Sequence, residues 1–536
     1  GLEGGDLHCA TVGAKRIHRQ VHYDYHAIPL PKGRADAMVK RAGGALLLSI
    51  ALDHGSARPL GAQLYAALRD LMLSGAMAAG ARLPASRALA RDLNVSRTTV
   101  IDAFERLGAE GLVESRIGSG TFVSAALHSE RPRQPHAHQP VARQPKASLA
   151  AAPSLSHSMD WAVGRFSERS RLPYAPRAFV TALPAFDAFP MAQWARISAK
   201  HWRGNRADVM GYGAPGGYAP LREAIAAHLR TNRGIACDSE QIFIVGGAQQ
   251  AFQLIGAVLL NPGDKVWFED PGAIGARNSL LTCGAALTPV PVDAEGLRVD
   301  EGVRRCPDFR LAFVTPSHQQ PLGHIMSLER RLALLRSAEQ AGAWIIEDDY
   351  DGEFCFGRRP VATLKSIDRT GQVIYVGTFS KSLFPALRLG FMLAPPSLVD
   401  IFNRVSAAFV QGVPTSVQAV VAEFIEEGHF AAHIRRMRRI YEERHSALCE
   451  AAARDLAGLM EVARTDSGLH TIGYLPPHLP EIAVTQAAAA RGITVSPIAR
   501  FSMEPSGLNG LVLGFGGVRP ADIRSAVGVL GEVLRG

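Results

Sequence analysis

Cysteine is scarce in this 536-residue chain, and the six present (Cys9, Cys237, Cys283, Cys306, Cys355 and Cys449) are scattered with no C-x-x-C pair. That spacing offers neither a zinc knuckle nor a disulfide framework, so reduced thiols in a cytoplasmic protein without a metal site are expected. The chain also lacks any apolar run near the roughly 18 uncharged residues that would cross a bilayer. Its greasiest early stretch, 45–52, is too short and follows mixed charge, so neither a membrane span nor a signal peptide is expected. No internal repeat is visible. Acidic side chains are outnumbered, 49 against 58 basic ones, for a formal net charge of +9, a balance that permits an anionic partner such as nucleic acid. With 47% hydrophobic and 20% charged residues the composition is that of a soluble globular protein, and the length exceeds one ordinary domain.

Composition divides what is there. No fold is assigned to residues 1–45. Residues 46–124 carry helical periodicity followed by a short strand-like pair. Residues 125–160, including RPRQPHAHQPVARQPKAS, hold almost no large apolar side chain and read as a flexible linker. From 161 to 536, short β-rich runs (242–245, 265–268, 311–314, 344–346 and 373–376) alternate with helical stretches, the pattern of an α/β unit with a mostly parallel sheet.

In the first region Leu60, Leu64, Ala67, Leu68 and Leu71 recur at helix spacing. A short helix over 86–93 with Ser86 as N-cap follows, then an Asn94-Val95 turn, then a helix capped by Ser96 whose inner face is Val100, Ala103, Phe104 and Leu107. Two short helices joined this way form a helix-turn-helix. Arg97, Thr98 and Thr99, at the start of the second helix, would face base edges and phosphates. Segments 112–114 and 121–123 flank a glycine-bearing turn over 117–120, a two-stranded wing. The ordered run LP-x-SR-x-LA-x-x-L-x-VSR-x-TV…L-x-x-EGL…GSGTFV resembles the winged helix-turn-helix of the GntR family over about 58–124. The resemblance implies double-stranded DNA as partner, with Arg87 and Arg97 as leading contacts and Ser96, Thr98, Thr99, Gly118 and Gly120 beside them. Ile101 stands where some family members carry a further arginine, so base preference there is not transferable.

In the third region GTFSKSLFPALRLG (377–390) sets Lys381 after a hydroxyl-rich turn, with Arg388 seven residues on. A lysine amine there can condense with the aldehyde of pyridoxal 5'-phosphate (PLP), while Thr378, Ser380 and Arg388 hold its phosphate. Taken alone, the fragment reads more readily as a turn with a solvated lysine. Other elements in order reverse that. Gly246-Gly247-Ala248-Gln249-Gln250 follows a strand and opens a helix, an anion-binding arrangement. Trp344–Ile346 leads into Glu347-Asp348-Asp349-Tyr350, where a carboxylate can pair with the pyridine nitrogen and the tyrosine with the ring hydroxyl. Between them lies TPSHQQP (315–321).

Together YGAPGGYAPLR (212–222), GGAQQA, EDPG, TPSHQQPLG, EDDYDGEF and GTFSKSLFPALRLGF resemble fold-type I aminotransferases over about 160–536. With the winged helix in front, the chain is similar to the MocR/GabR subfamily of GntR regulators. The resemblance implies Lys381 as the internal aldimine lysine, Asp348 (two before the tyrosine) at the pyridine nitrogen and Tyr350 at the phenolic oxygen. It further implies Ala248, Gln249, Ser380 and Arg388 around the phosphate, His318 near the ring, and Tyr212 reaching the cofactor of a partner in a homodimer. Two departures count against ordinary transamination. Ala273 stands where relatives stack an aromatic ring, and Val512 stands where aminotransferases commonly hold the substrate carboxylate with arginine. The expectation is a PLP-binding, effector-responsive DNA-binding regulator in the bacterial cytoplasm, at the nucleoid when bound, sensing PLP, an amine or an amino acid by aldimine exchange at Lys381. The alternative is a working aminotransferase with a DNA-binding appendage, its carboxylate held by Arg277 or Arg500.

Overall fold

The computed structural model describes residues 50–56, 58–116, 119–128, 156–168, 175–356, 362–409 and 412–536. The chain divides into two compact units, 1–148 and 149–536. In the first, α1 (Leu60–Leu73) buries Leu64, Leu68 and Met72, one stripe at four-residue intervals. Behind it lie α2 (Ser86–Asp92) and α3 (Arg97–Ala109), the latter burying Val100, Ala103 and Leu107. Ser86 does not cap α2: Ala85 occupies the N-cap with no side-chain bond, and Ser86 is already the first helical residue. Ser96 does cap α3, its Oγ accepting from the Thr99 amide at 3.0 Å. Strands β1 (Val113–Arg116) and β2 (Gly120–Val123) pair antiparallel with Val113 opposite Val123. Gly120 has φ +108, a backbone setting that a side chain would strain.

Of the expected linker, residues 129–155 lie outside the described residues. A helix, α4 (His157–Val163), starts inside that interval, because Ser156 is a cap whose Oγ accepts from the Met159 amide at 3.3 Å. Serine reads as linker in composition and as helix start in position.

The second unit is built on an eight-stranded sheet of order β3-β10-β9-β8-β7-β4-β5-β6. The strands are β3 (Ile242–Val245), β4 (Lys265–Asp270), β5 (Ala286–Asp293), β6 (Gly296–Leu297), β7 (Leu311–Val314), β8 (Trp344–Asp348), β9 (Val373–Thr378) and β10 (Gly390–Leu393). Strands β5, β4, β7, β8 and β9 run parallel, and β10 is antiparallel to both β9 and β3. β3, β7 and β10 are apolar and buried throughout, as strands covered on both faces must be. Helix α5 (Ala248–Leu259) follows β3 directly. A smaller antiparallel sheet, β11 (Glu461–Val462), β12 (His470–Tyr474), β14 (Gly510–Gly514) and β13 (Ser496–Pro497), completes the unit with α6 (His429–Asp455) and α7 (Pro520–Arg535). Among the described residues no helix is long and apolar enough to cross a membrane.

Candidate cofactor cavity and nucleic-acid face

A cavity of about 320 Å³ opens at the carboxyl ends of the parallel strands, the usual ligand position in open α/β sheets. Asp348 is the last residue of β8, and Thr378 the last of β9. The one-turn helix Phe379–Ser382 then carries Ser380 and Lys381 into the wall. Thr378 Oγ1 accepts from the Ser380 amide at 3.2 Å, which fixes that turn. Lys381 Nζ donates to the Ala182 carbonyl at 2.8 Å.

Asp348 and Asp349 point opposite ways. Asp348 is buried in the cavity wall, and its Oδ1 has no hydrogen-bond partner. Burial first, then the neighbouring Asp349 and Asp351 carboxylates, hold its pKa well above the usual range, and Lys381 opposes them. Asp349 faces away, accepting from the Tyr375 hydroxyl at 2.6 Å and pairing with the buried Arg233. Glu269, at the end of β4, accepts from the Thr315 hydroxyl at 2.6 Å, and burial pushes it up to about 7.

At the other end of the cavity Gly247, φ +105, is the N-cap of α5, with Ala248 and Gln249 next. A β-carbon on Gly247 would stand 3.6 Å from Arg388 Nη2, so the guanidinium lies against the bare backbone at the helix N-terminus. Cation and helix end together make an anion cradle. Arg388 itself has φ +48, and Phe179 and Ala182, with φ +66 and +74, line the same cavity. Three of the four non-glycine residues with positive φ among the described residues therefore sit here, where strain tends to collect at functional sites.

The structure brings Lys381, Asp348, Tyr350, Thr378, Ser380, Ala248, Gln249 and Arg388 to one cavity and leaves two of the expected residues off its wall. His318 is buried behind Tyr350, with Nδ1 3.1 Å from the phenol oxygen. Tyr212 is 97% exposed and takes no part in this chain's own cavity. Gln320 lines the wall instead of His318. The TPSHQQP run signalled the segment without saying which polar side chain turns inward. Gln319 is structural, bonding Glu269 at 3.2 Å and the Pro271 carbonyl at 2.8 Å. Ala273 is in the wall with no aromatic ring in its place. Val512 is buried among Ile274, Leu322, Ile472, Ile498 and Phe501. Arg277 is locked into backbone carbonyls of Arg500 and Phe501 away from the cavity, whereas Arg500 lines it and also donates to the Glu168 carbonyl at 2.7 Å.

In the first unit Arg87, Ser96, Arg97 and Thr98 are exposed at the start of α2 and α3. Thr99 is half-buried, its hydroxyl 2.8 Å from that of Ser96, so these two are tied into the cap. Gly118 lies outside the described residues. A groove between α3 and the wing is lined by Arg97, Ser115, Gly120 and Thr121, and also by Arg82, whose bridge to Phe122 extends the wing. Arg82 carries no sequence signal beyond its charge; only the fold brings it to this face.

A winged helix joined to a fold-type I aminotransferase fold defines the class. Residues 60–123 match the bacterial regulatory proteins of the gntR family, and 159–509 match the aminotransferase class I and II family. The chain is 40% identical over 489 residues to the probable rhizopine catabolism regulatory protein MocR of Rhizobium meliloti, covering 90% of this chain and 95% of that one. It is 29% identical over 471 residues to the pyridoxine biosynthesis regulator PdxR of Corynebacterium glutamicum, covering 88% and 96%. Among solved structures, the α-aminoadipate aminotransferase LysN of Thermus thermophilus matches with a TM-score of 0.64 at 28% identity, over 71% of this chain and 98% of that one. The chain belongs to the MocR-type transcriptional regulators of the GntR family, and its DNA-binding unit is the winged helix.

Proposed function

We propose that this regulator binds PLP at Lys381 and reads an amine, an amino acid or PLP itself there, acting as a homodimer on double-stranded DNA. One observation carries the reading. A lysine amine, a buried carboxylate oxygen without a partner, and a guanidinium at a helix N-terminus share one cavity of ligand size. A protonated pyridine nitrogen would satisfy Asp348 Oδ1, and a phosphate would satisfy the Arg388–Gly247 cradle, so the residues fit the group. When bound, PLP supplies an aldehyde that condenses with primary amines. The side chains do the rest. Lys381 is the tether that an incoming amine displaces, and Asp348 keeps the ring nitrogen protonated. Tyr350 serves the phenolic oxygen, while Thr378, Ser380, Ala248, Gln249 and Arg388 hold the phosphate. Support comes from LysN, described in complex with N-(5'-phosphopyridoxyl)-L-leucine, and from a relative that regulates pyridoxine biosynthesis. The fully exposed Tyr212 supports a partner that covers it. An effector acts by binding one conformational state more tightly than another, which shifts the regulator's affinity for DNA.

The test is an absorbance scan of the purified protein with and without borohydride, repeated against a panel of amines and coupled to DNA binding. The expected result is a visible band fixed on Lys381 by reduction, shifted by one amine class that also changes DNA affinity. A colourless protein that fails to take up added PLP would sink the reading.

Sensing is favoured over turnover by Val512, whose apolar packing leaves no guanidinium there to hold an α-carboxylate. Arg500 in the cavity wall is the observation that favours a working aminotransferase. Arg500→Ala is expected to leave PLP uptake intact. It should weaken the spectral response to carboxylated amines roughly ten- to hundred-fold, the worth of a charge-assisted bond, with no change for amines lacking a carboxylate. Spectral titration checks this, and equal losses for both amine classes would exclude Arg500 as a carboxylate holder.

A further inference from the structure

Behind Tyr350 sits a group of side chains that the cofactor reading does not use. His318 Nδ1 lies 3.1 Å from the Tyr350 hydroxyl, at a hydrogen-bonding angle, and 2.9 Å from Asp351 Oδ2, which is off that direction. His318 and Asp351 side chains are almost wholly excluded from solvent, and neither Asp351 Oδ2 nor His318 Nε2 has a hydrogen-bond partner. Gly468, with φ +80, packs so closely that a β-carbon there would stand 2.3 Å from His318 Cε1 and 2.8 Å from Asp351 Oδ2. The pair therefore has no room to rearrange. His470 covers the other side, its ring centroid 4.8 Å from that of His318 and its Nε2 donating to the Pro321 carbonyl at 3.0 Å.

The carboxylate decides where the proton on His318 sits. An unprotonated Nδ1 would set its electron-rich nitrogen 2.9 Å from the carboxylate oxygen in a site closed to water, whereas Nδ1–H presents a positive edge to that oxygen even off the hydrogen-bond direction. Nδ1 therefore carries the proton, and the Tyr350 oxygen accepts from it. A phenol O–H lies near the ring plane and has two positions. The imidazole N–H takes one side, so the phenol's own proton takes the other. We propose that Asp351 and His318 form a positioning pair that turns the Tyr350 proton into the cavity, toward an anionic oxygen of the ligand bound there. His318 thus acts through Tyr350 and not on the ligand.

The other charged groups around that hydroxyl do not supply this direction. Asp348 and Asp349 from the end of β8, Glu269 from the end of β4 and Asp351 surround it with negative charge; Lys381 shares the cavity wall with it, and the His470 ring lies stacked 6.5 Å from its own. Burial and those four carboxylates hold the phenol well above its usual range, so its proton stays on. Burial, then His318 and Lys381, hold His470 well below its usual range, so it stands as a neutral ring.

Asp351→Asn keeps the shape and removes the charge that favours a proton on Nδ1, which leaves that nitrogen to accept from Tyr350. Two measurements separate this inference from the PLP reading on which it rests. The first is the nitrogen NMR signature of histidine-labelled protein without cofactor, where His318 is expected to be protonated on Nδ1 in the wild type and on Nε2 in D351N. The second is the pH midpoint of the visible band of the PLP-loaded protein. A donor at the phenolic oxygen stabilises its anionic form, so D351N is expected to raise the midpoint by about one unit, as Tyr350→Phe does, with no further rise in the double variant. An unchanged midpoint in D351N, or a rise that adds to that of Y350F, would overturn the proposal. Should D351N fail to fold, His318→Asn, whose amide keeps a donor near the Nδ1 position, should hold the wild-type midpoint while His318→Leu raises it; equal midpoints for the two would also overturn it. A wild type with no visible band sinks the PLP reading and leaves the NMR result to decide the pair. One equivalent of a divalent metal in the purified wild type, lost in D351N, would replace the pair with a centre built from His318, Asp351 and His470, whose ligand atoms lie within 4.8 Å of one another.

Discussion

Lys381→Ala is expected to abolish covalent PLP attachment while leaving the protein folded and its basal DNA binding in place. The lysine is half-buried on a one-turn helix whose geometry is fixed by Thr378 and by the buried Phe379, not by the lysine stem. Its amine donates to the Ala182 carbonyl, and losing that bond costs about 1 kcal/mol, which in a unit of this size moves the melting temperature by only a few degrees. Removing the ammonium also removes a cation that favours ionised Asp348, so that carboxyl becomes still harder to ionise. The check is borohydride reduction followed by peptide mapping, alongside a melting curve and a DNA-binding titration. A reduced adduct persisting on another lysine would remove Lys381 from its role. A folded variant that lost all DNA affinity would show that covalent cofactor is needed to assemble the DNA-binding form.

Legibility in the sequence followed the range of the forces involved. Strands buried on both faces announce themselves as short apolar runs, and β3 and β7 lie where such runs predict them. β5 was not legible, because Pro289 and Pro291 in ALTPVPVD argue against a strand; they are tolerated where, among the described residues, the outer neighbour is the two-residue β6. β8 and β9 run past their apolar stretches to Asp348 and Thr378, since these polar residues are held by ladder bonds that side-chain pattern does not reveal. The choice of Asp348 over Asp349 rested on a spacing, and the pleat gives its physical form, alternate residues facing opposite sides. What spacing did not reveal is which side chain of a polar run faces inward. His318 and Gln320 are two residues apart, yet His318 turns to Asp351 and Gln320 to the cavity. Arg82 was hidden as a site residue, because it reaches its surface through a bridge distant in sequence; the sequence offered Arg277 and Arg500 alike, and only the fold puts Arg500 in the cavity wall and leaves Arg277 off it.

Arg97→Ala is expected to lower affinity for the regulator's DNA site roughly five- to hundred-fold, the equivalent of about 1–3 kcal/mol for one good base contact. Arg97 is exposed as the first residue of α3, where the Ser96 cap aims the helix start outward. It makes no ion pair with any described residue, whereas Arg69 is held by Glu110 at 3.1 Å and Arg106 by Asp102 at 3.1 Å in the same unit. Paired guanidinia have their charge answered at home; Arg97, with Arg82 beside it in the groove, keeps its charge for an outside anion. The measurement uses fluorescence anisotropy on a duplex selected from random sequence by the wild-type protein, and on a scrambled duplex, across a salt series. If Arg97 contacts phosphate alone, both duplexes lose affinity alike and the salt slope falls by about one; if it reads a base edge, the selected duplex loses more. Arg106→Ala, in the last turn of the same helix, serves as the comparison and is expected to leave both duplexes near wild-type affinity. Unchanged binding in the Arg97 variant would mean that the start of α3 does not enter the groove, and the recognition surface would then have to be sought on the wing, around Arg82 and Arg116.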